Sequence, residues 1–113
     1  MPPLPPELIR TYHPLVERDL LELGSKNLQL RAVEIIRAIS CGDIRGQRLE
    51  NNDRVGDLNG YFKIYFDESP DVSPRFRIVY QLIPNSSAPR TLKVIVIGER
   101  KNYKVYLEAI HRL

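Results

Sequence analysis

Residues 61–66 read YFKIYF, residues 75–83 read RFRIVYQLI, and residues 91–98 read TLKVIVIG. In the first stretch Tyr61, Lys63 and Tyr65 alternate with Phe62, Ile64 and Phe66. That period of two marks a strand whose faces meet different surroundings. In the second, Phe76, Ile78, Tyr80 and Leu82 share one face, and Arg77, Val79 and Gln81 share the other. The third is largely β-branched, and Gly98 is expected to end it at Ile97. The connecting segments are rich in Pro, Ser, Asp and Asn and read as hairpin loops. Three antiparallel strands are predicted.

Upstream, Leu8 to Tyr12 predicts a short first strand. Pro14 suits a first helical turn, where a missing N–H costs nothing. Leu15, Val16, Leu20 and Leu23 then follow at helical spacing until Gly24. A second helix is predicted from Lys26 to Ser40, with Leu28, Ala32, Ile35, Ile36 and Ile39 as its apolar stripe and Gly42 as its stop. Between Gly42 and Gly60 no period holds, so a long loop is expected, with at most one short helical turn. Asn102 to Leu113 predicts a closing helix, with Val105, Ala109, Ile110 and Leu113 inward. Residues 1–7 form a proline-rich lead-in, and residues 8–113 are expected to make one domain. The fold class is α+β: a small antiparallel-dominated sheet, with the helices gathered on one face.

The 113 residues carry a formal net charge of +3, unevenly distributed. Residues 1–58 hold eight Lys/Arg and nine Asp/Glu, whereas residues 59–113 hold nine and five. The positive field therefore lies in the strand-rich half, which fits a polyanionic partner. The lone Cys41 excludes an internal disulfide and is expected to be partly buried at a helix end. No apolar run nears the ~20 residues of a membrane span, and no signal-peptide pattern opens the chain. A cytoplasmic protein with no membrane partner is expected.

The residues that carry chemistry lie in that basic half. Lys63 and Arg77 fall on the strand faces turned away from the apolar ones, together with Tyr61 and Tyr65. Arg100 follows Gly98 by two residues, and Tyr106 sits on the closing helix. Cations can surround a phosphate, a phenol can move a proton, and Tyr61 and Tyr65 can stack bases as RNA-binding residues. His13 is expected at a strand-to-helix turn and His111 on a helix face, and with one cysteine they make no metal site. No cofactor is expected.

The segments GDLNGYFKIYFD (56–67), RFRIVYQL (75–82) and VIVIGERKNYKVYLEAIHRL (94–113) resemble the RelE/ParE toxin superfamily, and YHPLVERDLLEL (12–23) resembles its first strand and helix. The resemblance spans about residues 8–113. It implies a microbial-RNase-like fold with two N-terminal helices on one sheet face and a C-terminal helix. It also implies the toxin half of a type II toxin–antitoxin system, with a cognate antitoxin protein as partner and operator DNA bound only by the toxin–antitoxin complex. RelE-like members act on the ribosome and cut A-site mRNA, inhibiting translation. ParE-like members inhibit DNA gyrase by binding, without RNA cleavage. The RelE-like pattern of a Lys-x-Lys strand pair, a strand Arg, a post-glycine Arg and a helical Tyr falls on Lys63, Arg77, Arg100 and Tyr106, the catalytic set implied here. The second lysine is not matched; Tyr65 stands there.

Cutting RNA through its own 2′-OH requires a proton acceptor, charge on the phosphorane and a proton for the leaving 5′-oxygen. Such a metal-independent endoribonuclease would use Tyr106 as base, Lys63 to favour the phenolate, Arg77 to hold the phosphate and Arg100 on the leaving side.

Overall fold

The computed structural model describes residues 7–49, 60–99, 101 and 104–112. The elements run β1 (Ile9–Tyr12), α1 (Val16–Glu22), α2 (Lys26–Ser40), β2 (Gln47–Arg48), β3 (Tyr61–Phe66), β4 (Phe76–Ile83), β5 (Thr91–Glu99) and α3 (Lys104–His111). They build a five-stranded sheet in the order β1-β5-β4-β3-β2. β1 runs parallel to β5, and every other neighbouring pair is antiparallel.

The alternation read in β3 and β4 sorts their side chains onto two faces. Phe62 and Phe66 join Phe76, Ile78, Tyr80 and Leu82 in one buried cluster with Val16 of α1 and Leu28, Ala32, Ile35, Ile36 and Ile39 of α2. The predicted stripe of α2 is thus its buried face. Ser25 starts that helix by accepting the Leu28 N–H. Gly42, at φ 80°, supplies the left-handed turn beyond its end.

Four expectations change. First, the helices are not gathered on one face. Val105 and Ala109 of α3 pack with Val79, Ile95 and Val96 in a second cluster, separate from the α1–α2 core. A register shift aids this: Val79 pairs with Val96 but Tyr80 pairs with Val94, leaving Ile95 as an extra residue in β5. Second, the stretch after Gly42 includes strand β2, paired with Lys63 and Phe62. Gly46 lies so close to β3 that a Cβ there would overlap the Lys63 carbonyl, and its N–H donates to the Tyr80 hydroxyl at 2.7 Å. Third, Gly98 does not end β5. It pairs with Arg77, and the strand continues through Glu99. Fourth, Cys41 is exposed rather than partly buried, and its thiol donates to Glu7 Oε1 at 2.8 Å. The lead-in at residues 1–6 and the span 50–59 lie outside the described residues. No helix among the described residues is long and apolar enough to cross a membrane.

One ion pair joins both helical layers to the sheet. β1 stops pairing with β5 at Val94, so the β5 edge beyond it needs other partners. Asp19 of α1 accepts the Ile97 N–H at 3.1 Å, and Arg112, just past α3, donates to the Ile95 carbonyl at 2.9 Å. The two side chains meet at 2.6 Å and are buried, 5% and 2% exposed respectively. Arg112 also donates to Glu108 at 2.9 Å. Removing one partner strands a buried charge, which costs about 3–5 kcal/mol. Arg112→Ala is therefore expected to lower unfolding stability by about that amount in urea melts, far more than Arg18→Ala at the exposed Arg18–Glu22 pair.

Candidate active site

On the face that carries α3, the sheet leaves an open depression of about 1060 Å³. Lys63, Tyr65, Arg75, Arg77, Glu99, Lys101 and Tyr106 line it with Ser73, Pro74 and Phe76. Strand parity puts Lys63 and Tyr65 there, and α3 brings Tyr106 across from the second cluster. The Lys63 ammonium lies 5.3 Å from the centre of the Tyr65 ring and 5.7 Å from that of Tyr106. Both contacts are within cation–π range.

Arg77 is deeper than its strand position suggested. It is 2% exposed, and the Tyr65 ring lies on its guanidinium, 3.4 Å from Cζ to the ring centre. Its Nη1 donates to the Phe76 carbonyl at 2.9 Å and to the Pro74 carbonyl at 3.4 Å. Its Nε is buried without a hydrogen-bond partner. The cross-strand pairing of Tyr65 with Arg77 fixes this stack. Tyr65, 39% exposed, is the layer between Arg77 and solvent. Its hydroxyl pKa is lowered from the ordinary tyrosine value, first by a hydrogen bond from Lys63, with the charges of Lys63 and Arg77 helping and partial burial opposing.

Tyr61 is not brought to the depression. It packs against the Val79–Val96–Val105 cluster and pairs with Gln81. Arg100 lies outside the described residues, between Glu99 and Lys101, which both line the depression. Sequence reasoning passed over Lys101, although the charged run Glu99–Arg100–Lys101 was a usable signal. It also passed over Asp67 and Arg75. Asp67 follows β3 and Arg75 precedes β4, and the pair closes the hairpin at the rim. The Asp67 carboxylate accepts from Arg75 N, Nε and Nη2 and from the Glu68 N–H, at 2.8–3.1 Å. Opposite charges at the two ends of one predicted hairpin were the available clue.

The histidines stand apart from this face's chemistry. His13 sits at the β1–α1 turn, where its Nδ1 accepts the Leu15 N–H at 3.1 Å. Burial first, then the charges of Arg112 and Lys93, push its pKa down. His111 is exposed on α3. Among the described residues, no group of three or more His, Cys, Asp or Glu is arranged to hold a metal ion.

No protein-family model matches the sequence, and no curated protein matches it significantly. Among solved structures, the chain is similar to E. coli toxin RelE in the free state, in a double arginine-to-alanine mutant. The TM-score is 0.62 at 18% identity, covering 95% of this chain and 98% of that one. The fold is RelE-like. At that identity the likeness concerns the fold alone.

The rim pair gives a pH signature. The Arg75 hydrogen bonds hold the Asp67 carboxyl well below the usual carboxylate range, against the cost of burial. A carboxyl depressed on folding contributes stability above its unfolded value of about 3.9 and loses that contribution as pH falls below it. Asp67→Asn is expected to be less stable than the parent at pH 6, with the gap narrowing steadily below about pH 4. Urea melts at pH 6, 4 and 2.5 measure it. A gap that stays constant across that series contradicts the assignment.

Proposed function

We propose that this chain is the toxin component of a type II toxin–antitoxin system, with residues 8–113 as its toxin domain. Its proposed activity is metal-independent cleavage of mRNA in the ribosomal A site. The observation that supports this most is the convergence of Lys63, Tyr65, Arg77, Lys101 and Tyr106 on one open depression of a RelE-like fold. RNA supplies its own nucleophile, so the protein needs cations for the phosphorane and groups that move two protons. In this reading Lys63, Arg77, Arg100 and Tyr106 are the catalytic set. Arg77 contributes its charge from beneath Tyr65. Tyr65 offers its exposed face to a base, and a phenol at this position replaces the family's second lysine.

The depression is wide and open, so a flexible message needs positioning from elsewhere; the ribosome supplies it. The proposed inhibitory partner is an antitoxin whose acidic segment orders on the basic half of the chain and works in the cytoplasm. Operator DNA is bound only by that pair.

Toe-printing of programmed ribosomes with antitoxin-free protein tests the reading. A cut within the A-site codon is expected, with naked RNA nearly intact. Arg77→Ala is expected to reduce single-turnover cleavage about 100-fold, with a much smaller loss of ribosome binding, because the added charge appears only in the transition state. An intact message beside inhibited DNA supercoiling would replace this reading with ParE-like binding of gyrase.

A further inference from the structure

Two phenols border the depression, and the lysine between them makes contact with both rings. Their surroundings differ. Tyr65 stands on a strand, clamped between a buried guanidinium below and the Lys63 ammonium beside it, with its outer side open. Tyr106 reaches the same space from α3. Two phenols on one space can divide acid from base work between them.

We propose that the two phenols share the proton transfers of the cut: Tyr65, as phenolate, accepts the proton of the 2′-OH, and Tyr106, as phenol, gives its proton to the leaving 5′-oxygen. This rests on the endoribonuclease reading above. As the 2′-oxygen forms its bond to phosphorus, its proton passes to the Tyr65 oxygen. As the bond from phosphorus to the 5′-oxygen breaks, that oxygen takes the Tyr106 proton. The products are a 2′,3′-cyclic phosphate and a 5′-hydroxyl, and exchange with water resets both phenols. Arg77 keeps its place in the catalytic set: its guanidinium, covered by the Tyr65 ring, lends charge from beneath to the phenolate and to the phosphorane. The family's second lysine is then not simply missing. A cation-supported phenol performs proton transfer from the same strand position.

The groups that face Tyr65 agree with a phenolate. Among the described residues, Lys63 on its own strand and Arg77 on β4 act on its hydroxyl; Lys101, Glu99 and Arg75, the last already paired with Asp67, line the same depression, and Arg45 shares a smaller pocket with Lys63 and Tyr65. The lowered pKa of its hydroxyl follows from the first two.

Single-turnover cleavage on programmed ribosomes, with two messages, tests the division. One message has the ordinary linkage, and the other has sulfur in place of the scissile 5′-oxygen. A thiolate leaves without a proton, so it bypasses a missing acid but not a missing base. Tyr106→Phe is expected to cut the ordinary message about 100-fold or more slowly and the sulfur message at close to the parent rate. Tyr65→Phe is expected to be slow on both. The parent rate should rise with pH until Tyr65 is ionised, with that limb kept in Tyr106→Phe and lost in Tyr65→Phe. A Tyr65→Phe protein that cuts at the parent rate, or a Tyr106→Phe defect that sulfur does not repair, overturns the division while leaving the endoribonuclease reading intact. If the parent protein cuts neither message, that reading fails and the division falls with it. Tyrosine 13Cζ titration of the free protein reports separately. The Tyr65 signal should move at lower pH than that of buried Tyr80, whose hydroxyl burial pushes up, and Lys63→Met should raise the Tyr65 midpoint.

Discussion

The ion pair between Asp19 and Arg112 is the contact on which the arrangement of the two layers depends. It lies at the edge of β5 where β1 has ended, and it satisfies the backbone groups that a longer β1 would have paired. One partner comes from the layer on one sheet face and the other from the end of the helix on the opposite face. Tying those ends together fixes α3 against β5, and α3 carries Tyr106. A packing interaction at one side of the molecule thus sets the position of a side chain in the depression.

Strand β4 provides the second constraint. It lies between β3 and β5 and is dry on both faces, with Phe76, Ile78, Tyr80 and Leu82 toward α1 and α2 and Val79 toward α3. A cation in such a strand must be neutralised or stacked. Arg77 meets that demand with two carbonyls and the face of Tyr65. The same burial that makes Arg77 costly holds Tyr65 in one orientation. Gly46 and the Tyr80 hydroxyl press β2 onto the Lys63 backbone from the neighbouring strand. Lys63 and Tyr65 are therefore presented by rigid sheet rather than by loops.

Much of this could be read from local pattern. The alternation in residues 61–66 and 75–83 correctly separated the face covered by α1 and α2 from the face carrying Lys63 and Arg77, because parity in a strand is a local property. The stripe of α2 was legible for the same reason at a period of 3.6. What escaped depends on distant residues. Which face α3 takes is decided by contacts such as that of Arg112 with Asp19, 93 positions away in sequence. The register shift at Ile95 leaves no trace in a β-branched run. Two-residue β2 lies in a segment whose Gly and Asp suggest only turns. The depth of Arg77 arises from the Tyr65 ring laid across it by cross-strand pairing, and the placing of Tyr61 from the cluster that α3 closes over the sheet; no strand periodicity reports either.

The central claim is that this face cuts RNA through the RNA's own 2′-hydroxyl. The most direct measurement uses ribosome-bound messages that differ by one atom, a 2′-deoxynucleotide replacing the ribonucleotide on the 5′ side of the cut in the A-site codon. The account predicts that the all-RNA message is cut to a 2′,3′-cyclic phosphate end and that the deoxy-substituted message stays intact at that linkage. Equal cleavage of both, or cleavage of neither, would contradict it.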